Sequence, residues 1–207
     1  MFSSPFPEFI SFYCGQNPAD QDFRLLPEEQ AIAESFGSQK RCAEFTMGRI
    51  YAHSALSRFG LESEPILRNP ETREPRWPDS VWGSITHSAG FAAVAVGLKK
   101  EIKGVGIDLE SFSRSVDFKI SQHICVDSEL EWLESLPNKQ ANRALRIIFS
   151  AKESIFKCIY PGTKTFLSFK DAAVSVNETE KNFSFIVFKS CPGIIQQGFK
   201  HHGRYSE

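Results

Sequence analysis

The sharpest chemical feature of the sequence is an acidic pair, Asp108 and Glu110, in the stretch GVGIDLE. In an extended strand, side chains two residues apart point to the same face, so the two carboxylates can converge while Leu109 turns into the core. Two hard oxygen ligands on a rigid element suit Mg²⁺, which keeps several waters and binds phosphate oxygens. The pair predicts a magnesium site, and the plain alternative is two solvated acids at the end of a strand.

A second candidate is the helical stretch FSAKESIFK, residues 149–157. Glu153 and Lys157 are four residues apart and share a helix face, an arrangement that is usually only a solvated ion pair. Phe149 and Phe156 flank the same polar side, however, and two aromatic rings are unusual on a fully solvated face. The pattern favours the wall of a cleft.

Two further groups could offer hydrogen-bond donors to a phosphate. Ser84 and His87 lie in GSITHS, after a proline-rich stretch, although a lone histidine is more often structural. Arg41 and Arg49 are separated by about two turns of a predicted helix, so they share one face. Guanidinium groups bind phosphate in a bidentate manner, whereas a solvated basic face is the commoner use of such a pair.

The helices that must position these residues follow from apolar periodicity and from start and stop signals. Asp127 is the predicted N-cap of the second helix, and Pro161 with Gly162 is predicted to stop the third. We predict helices at residues 27–60, 127–136 and 141–160.

Short apolar runs bounded by turn residues indicate strands, and the four prolines of residues 65–82 indicate a loop. We predict strands at residues 91–98, 105–110, 172–176 and 183–188. Helices mixed with a few strands in each half predict an α+β fold with a boundary near residues 99–105. We therefore expect an N-terminal half at 1–103 and a C-terminal half at 104–207.

Composition excludes several classes of function. The net charge is −1, so no bulk field would recruit nucleic acid or an anionic membrane, and any anion site must come from local clusters. The five cysteines are scattered without a C-x-x-C pair, which argues against a disulfide framework or a structural zinc site. The N-terminus is a poor signal peptide, and no apolar stretch is long enough for a membrane span, so we expect a cytoplasmic protein.

Four stretches, in content and in order, resemble 4′-phosphopantetheinyl transferases of the larger, pseudodimeric type, and especially the enterobactin synthase component D group. Any one of them would be a weak signal, but all four fall within residues 40–157 with family-like spacing. They read KRCAEFTMGRIYAHSAL, REPRWPDSVWGSITHSAGFAAVAV, GVGIDLE and FSAKESIFK.

The resemblance implies two similar α+β halves related by a pseudo-twofold axis, with the active site in the cleft between them. It implies that Mg²⁺ is held by Asp108, Glu110 and Glu153. The remaining site residues are implied to contact coenzyme A, with Lys157 on its phosphates and the arginines on its nucleotide end and 3′-phosphate. These residues are Arg41, Arg49, Ser84, His87, Lys152 and Lys157.

The implied reaction is attack by a serine hydroxyl of an apo acyl, peptidyl or aryl carrier protein on the β-phosphate of coenzyme A, with release of 3′,5′-ADP. Lys157 would assist, and Glu153 would take the serine proton directly or through a metal-bound water. By resemblance, siderophore or other secondary metabolism is the expected setting, and a monomer with two such halves would suffice.

Two departures from the family pattern bear on this reading. Position 53 is histidine where relatives often carry arginine, which implies a weakened or relocated nucleotide contact. The chain also ends without a clear last strand, so either its ending diverges from that of relatives or the C-terminal sheet has lost its closing strand. The rival hypotheses are a non-catalytic module that binds coenzyme A or a carrier protein, and a Mg²⁺-dependent phosphodiesterase that would release 3′,5′-ADP without a carrier.

Overall fold

Helices and antiparallel strands occur in both halves of the chain in its computed structural model. The residues that the structure describes are 5–16, 22–112, 117–193 and 195–207. They form two compact units, which we call unit 1 (Met1–Leu109) and unit 2 (Glu110–Glu207). Each unit contains its own helices and a three-stranded sheet, so the predicted α+β class is confirmed.

Two helices of unit 1, α1 (Pro27–Glu34) and α2 (Gln39–Ser57), stand where one helix was predicted for residues 27–60. The backbone of Ser38 is extended, with φ −128° and ψ 121°, and α2 begins directly after it. An extended residue cannot continue the helical hydrogen bonds, and serine is a favoured residue at a helix start. The prediction of one continuous helix was wrong at this break.

The sheet of unit 1 has the strand order β1 (Ser11–Gly15), β5 (Phe91–Leu98), β4 (Val81–Ser88). All pairs are antiparallel. Strand β5 confirms the prediction for residues 91–98, whereas β1 was not predicted. The central position of β5 explains its unbroken apolar run, because α2 covers one face and residues 105–107 pack against the other.

The stretch predicted as a proline-rich loop contains a short hairpin whose two strands, β2 (Leu67–Arg68) and β3 (Pro75–Arg76), have two residues each. Trp77 follows the hairpin and lies against Gly83 of β4. A Cβ atom at Gly83 would come within 2.3 Å of the indole ring, so this close approach requires glycine.

Unit 2 contains two short α-helices, α3 (Ser121–Ile124) and α4 (Asp127–Glu134). Helix α4 confirms the prediction at residues 127–136. Its N-cap, however, is Val126, and Asp127 is the first helical residue instead of the predicted cap. A carboxylate in the first turn still complements the positive end of the helix dipole.

The long helix α5 (Asn138–Thr163) confirms the helix predicted at residues 141–160 and extends it at both ends. Pro161 lies inside the last turn, and the helix ends where Lys164 adopts a left-handed conformation with φ 52°. The predicted stop at Pro161 was therefore too early. One apolar face of α5 packs on the sheet of unit 2 and another on α4.

The sheet of unit 2 has the order β6 (Ala172–Asn177), β7 (Asn182–Val187), β8 (Phe199–Arg204). Strands β6 and β7 confirm the predicted hairpin. Strand β8 decides between the two alternatives for the chain ending, because the closing strand is present: it pairs antiparallel with β7, from Phe199 opposite Val187 to Arg204 opposite Asn182. The run FKHHGR was not recognised because it has no apolar alternation.

Within the described residues, no helix is both long and apolar enough to cross a membrane. All five cysteines are free thiols.

Candidate active site

The acidic stretch of residues 104–110 is not a strand, contrary to the prediction. Side chains hold it instead of a backbone ladder. Ser84 and Thr86 lie on the same face of β4, and their hydroxyls accept hydrogen bonds from the backbone N–H groups of Ile107 and Leu109, each at 3.2 Å. Because donors and acceptors repeat every second residue, the stretch runs extended along β4.

Asp108 lies between the two anchored residues and is itself held by β4. The Thr86 hydroxyl donates to Oδ1 of Asp108 at 3.1 Å, so one side chain fixes both the backbone and the carboxylate of the acidic stretch. Asp108 is half-buried, whereas Glu110 is exposed. Thr86 is an orienting residue that sequence reasoning did not select, although its position two residues after Ser84 was a usable signal.

Ser84, which was predicted to contact coenzyme A, makes a hydrogen bond within the protein. Its side chain is in the interior, with the residue 3% exposed, and its hydroxyl accepts from the backbone of Ile107. A hydroxyl buried in this bond anchors the acidic stretch. These contacts favour a structural role for Ser84 over a contact with a phosphate.

The predicted metal ligands are divided between the two units: Asp108 belongs to unit 1, and Glu110 and Glu153 belong to unit 2. Among the described residues, no three or more His, Cys, Asp or Glu side chains are gathered closely enough to hold a metal ion. The three-carboxylate site therefore stays a prediction.

A pocket of about 360 Å³ in unit 1 gathers basic side chains, and we call it the arginine pocket. It includes both arginines of the predicted α2 face and the histidine of GSITHS. Phe36, Phe45 and Glu44 also line it. Its basic residues are Arg41, Arg49, Arg68, Arg73 and His87.

Arg49 is the buried member of the arginine pocket, with the residue 6% exposed. Its Nε donates to the backbone oxygen of Ile66 at 2.6 Å, and its guanidinium carbon lies 4.3 Å from the centre of the Phe45 ring. Burial lowers the pKa of Arg49 to about 10, and the nearby carboxylate of Glu29 opposes that shift. Arg49 remains a cation at neutral pH.

Arg41 and His87 lie at the exposed side of the arginine pocket. His87 Nδ1 is 3.6 Å from Glu44 Oε2, and Lys40 Nζ is 3.7 Å from Glu44 Oε1. Exposed ion pairs at these distances contribute little to stability. The weak pair with Glu44 therefore leaves His87 able to exchange partners when an anion enters.

Two arginines of the pocket, Arg68 and Arg73, were missed by sequence reasoning. They come from the short hairpin within the proline-rich stretch, and the guanidinium carbon of Arg68 lies 5.6 Å from the centre of the Phe36 ring. The run RNPETREPR carries three arginines around a turn and was the available signal. Sequence alone could not show that this turn folds over α2.

A second pocket, of about 500 Å³, lies in unit 2, and we call it the aromatic pocket. Glu153 and Phe156 of α5 line it, as expected if this helix face is the wall of a cleft. Phe166 and Phe169 complete its aromatic side, and Phe166 is 66% exposed, which leaves a ring at the mouth of the pocket. Lys157, one turn beyond Glu153, is half-buried.

Lys152 lies next to Glu153 in sequence, but its ammonium group is in the interior. Its Nζ donates to Glu129 Oε2 at 2.7 Å, to the Ile124 backbone oxygen at 2.8 Å and to the Phe169 backbone oxygen at 2.9 Å. An ammonium group has three donors, and all are used here. These contacts hold Lys152 within the protein, but it also lines the aromatic pocket, so its predicted contact with coenzyme A stays a prediction.

Comparison with protein families covers both units. Residues 27–97 match the 4′-phosphopantetheinyl transferase N-terminal domain. Residues 104–202 match the 4′-phosphopantetheinyl transferase superfamily. The first match contains the arginine pocket, and the second contains Asp108, Glu110 and Glu153.

Several curated proteins are similar along most of the chain. The 4′-phosphopantetheinyl transferase Svp of Streptomyces mobaraensis is 38% identical over 170 residues, which are 81% of this chain and 67% of Svp. The 4′-phosphopantetheinyl transferase PptT of Mycobacterium tuberculosis is 36% identical, over 72% of this chain and 64% of PptT. Enterobactin synthase component D of Escherichia coli K12 is 35% identical, over 75% of this chain and 73% of that protein.

Proposed function

Because the chain belongs to the 4′-phosphopantetheinyl transferase superfamily, we propose that it transfers the 4′-phosphopantetheine group of coenzyme A to a serine of an apo carrier protein and releases 3′,5′-ADP. The observation that carries the proposal is the arginine pocket within the N-terminal family match. Four arginines in one pocket give this part of unit 1 a local positive charge that suits an anionic ligand, although the net charge of the whole chain is −1.

The nucleotide end of coenzyme A, including its 3′-phosphate, would enter the arginine pocket. Guanidinium groups present paired N–H donors that match phosphate oxygens, and they keep their charge when partly buried. Arg49 would supply the fixed contact, since its Nε and its ring neighbour hold it in place. Arg41 and His87, being exposed, would close on the ligand.

The pantetheine arm would enter the aromatic pocket. The arm is a slender chain of methylenes and amides, and a pocket lined mainly by apolar side chains with a few polar groups suits such a group. Glu153 lines the same pocket, which would place a carboxylate beside the reacting end of the arm.

The donor set of Asp108, Glu110 and Glu153 fits Mg²⁺ in its chemistry, because all three are hard oxygen ligands. Asp108 is already oriented by the Thr86 hydroxyl on a stretch anchored to β4. When bound, Mg²⁺ would neutralise charge on the pyrophosphate of coenzyme A.

Glu153 is the residue that we propose takes the proton of the carrier serine. A general base of this kind contributes a rate factor of about 10²–10⁴. Lys157, one helical turn away, would bind the phosphate and stabilise the charge that develops on it. The serine oxygen then bonds to the β-phosphorus, and the bond from that phosphorus to the bridging oxygen of 3′,5′-ADP breaks.

A mass-shift assay tests the proposal. The full chain is incubated with coenzyme A, Mg²⁺ and a panel of apo acyl, peptidyl and aryl carrier proteins. Transfer adds the mass of the phosphopantetheine arm to one or more carriers. If no carrier gains mass while 3′,5′-ADP accumulates, the protein is a phosphodiesterase and the proposal fails.

The non-catalytic binding module is not favoured, because the matched relatives are named as transferases.

For the cellular setting we propose the cytoplasm, which the five free thiols support. We further propose a monomer, since the chain carries matches to both family domains. Size-exclusion chromatography with light scattering tests that state.

A further inference from the structure

Glu29 of α1 is a fully buried carboxylate that sequence reasoning did not select. Its Oε2 accepts from the backbone N–H of Leu26 at 3.1 Å and from Nε2 of His53 at 2.8 Å. Its Oε1 accepts from the backbone N–H of Ile66 at 2.8 Å. His53 is itself buried and does not line the arginine pocket.

The peptide of Ile66 links this carboxylate to the arginine pocket. Glu29 binds the N–H of residue 66, and Arg49 donates its Nε to the C=O of the same residue, at 2.6 Å. The backbone of residue 66 therefore lies between a fixed acceptor and a fixed donor. Since β2 with Arg68 begins directly after it, the bond also places the hairpin that carries a second arginine of the pocket.

We propose that Glu29 is a positioning residue for the anion-binding group of Arg49. It acts through the Ile66 peptide and does not touch the ligand. The inference rests on the proposed function, since it takes the arginine pocket to be the site of the coenzyme A nucleotide. With Nε committed to Ile66, the two terminal amino groups of Arg49 are presented as a pair to a phosphate.

Electrostatics adds to the geometric effect. Burial would raise the pKa of Glu29, but the hydrogen bonds from His53 and from the backbone of Ile66 and Leu26 lower it overall, so the carboxylate is ionised. A buried anion near Arg49 offsets the cost of taking its guanidinium out of water. Without that counter-charge, the guanidinium would turn toward solvent and away from its Ile66 bond.

The chain supplies a matched control in Glu129, the equivalent buried carboxylate of α4 in unit 2. Its Oε2 accepts from the backbone of Val126 and its Oε1 from the backbone of Val174, at 2.8 Å and 2.6 Å. Its third partner is Lys152. None of these residues lines the arginine pocket, so a change at Glu129 tests the loss of a buried carboxylate without disturbing Arg49.

The experiment is titration calorimetry of the full chain with 3′,5′-ADP, which reads nucleotide binding without requiring transfer. Four proteins are compared: wild type, Glu29→Gln, Glu129→Gln and Arg49→Ala. We expect Glu29→Gln to raise the Kd for 3′,5′-ADP about tenfold, because the guanidinium of Arg49 would be misplaced. This rise should approach the one caused by Arg49→Ala. Glu129→Gln should leave the Kd within about twofold of wild type, because its effect is on stability alone.

The outcomes separate the two proposals. If wild type does not bind 3′,5′-ADP, the assignment of the arginine pocket falls. If wild type binds and Arg49→Ala does not, but Glu29→Gln binds as wild type does, the nucleotide site stands and the positioning role of Glu29 is wrong. Equal weakening by both glutamine variants would also overturn it, since it would show a general loss of structure.

A second variant covers the case in which Glu29→Gln does not fold. Glu29→Asp keeps the charge but is shorter by one methylene, so it cannot reach both Ile66 and His53. We expect a rise in the Kd for 3′,5′-ADP of about threefold, with Glu129→Asp unchanged as its control. An unchanged Kd for Glu29→Asp would contradict the proposal.

Discussion

In both unit 1 and unit 2, a buried glutamate joins a short helix to the rest of the unit. Glu29 and Glu129 each occupy the third position of an eight-residue helix. Each accepts from the backbone N–H three residues before it and from the backbone N–H of a residue far along the chain. Each also binds a basic side chain from the following long helix, α2 or α5.

The difference lies in the basic partner and in what it connects. In unit 1 the partner is His53, and the chain of bonds leads through Ile66 to Arg49 of the arginine pocket. In unit 2 the partner is Lys152, which binds the backbone beside the aromatic pocket and directly precedes Glu153. The same scaffold therefore supports a cation-rich pocket in one unit and a carboxylate with aromatic rings in the other.

The strongest way to break this comparison is to remove the chemistry of unit 2 alone. Glu153→Gln should lower the rate of phosphopantetheine transfer about 10²- to 10⁴-fold, because it removes the proposed base. The Kd for 3′,5′-ADP should stay unchanged, since the arginine pocket belongs to unit 1. The mass-shift assay and calorimetry measure the two quantities. A Glu153→Gln variant with normal transfer would refute the assignment of Glu153 as the base. The same assay tests the proposed metal ligands, either with Asp108→Ala or with a chelator that removes divalent metal.

The next largest effect should come from the two basic partners. Lys152→Met leaves the Glu129 carboxylate buried without its counter-charge, and it should lower the free energy of unfolding by about 3–5 kcal/mol. His53→Met removes one hydrogen bond to Glu29, whereas the loss of Lys152 also leaves two buried backbone oxygens without their donor, so the cost at His53 should be smaller, about 1–3 kcal/mol. Urea unfolding followed by circular dichroism measures both.

Equal losses in the two variants would contradict the distinction between the partners. The double variant Glu129→Gln, Lys152→Met serves as the control, because it removes both charges and keeps an acceptor for a backbone donor. It should be more stable than Lys152→Met alone. If it is less stable, the cost of Lys152→Met does not arise from an uncompensated charge.

A third prediction concerns ligand binding by unit 1. Arg49→Ala should raise the KM for coenzyme A about 10- to 100-fold, the loss of one charge-assisted contact, and leave kcat near its wild-type value. Arg49→Lys keeps the charge but not the paired donors, so its KM should fall between the two. Steady-state transfer kinetics measure this. A fall in kcat with unchanged KM would instead place Arg49 at the reacting phosphate.

The sequence predicted most elements whose pattern is local. The apolar run of β5, the hairpin of β6 and β7 and the amphipathic face of α5 were all predicted, because each carries its own period. Strand β8 was missed because its position depends on pairing with β7. It also depends on the absence of a side chain at Gly203, where a Cβ atom would overlap the Phe183 ring. Such a constraint exists only after folding.

The residue types of the candidate site were predictable from the sequence, but the internal hydrogen bonds of its buried members were not. Arg41, Arg49 and His87 do line one pocket. Ser84 and Lys152 matched the family motif equally well, yet both have buried polar groups bound within the protein. A family motif includes residues that bind the ligand and also residues that hold those ligand-binding residues in place. The burial and hydrogen bonds of each polar side chain help to distinguish these two kinds of residue.

The third strand of each sheet comes from a different end of the chain, β1 in unit 1 and β8 in unit 2. The smallest effect on stability that we predict concerns the contacts beside β8. Strand β1 pairs with β5 and rests on buried contacts, including Ile10 beside it, whereas β8 pairs with β7 and is mostly exposed. Just after β8, Glu207 binds Arg143 of α5 and Lys181 before β7. The end of the sheet is thus held partly by surface ion pairs.

Glu207→Gln should therefore cost little, less than about 1 kcal/mol at neutral pH. The hydrogen bond from Arg143 lowers the pKa of Glu207 to about 2. Because the folded pKa lies below the unfolded one, the stabilisation is present above about pH 4.5 and is lost as the pH falls toward 2. Urea unfolding of wild type and variant across this range should converge at the acid end. A difference that grows with acidity would show that Glu207 stabilises β8 as a neutral group rather than through its charge.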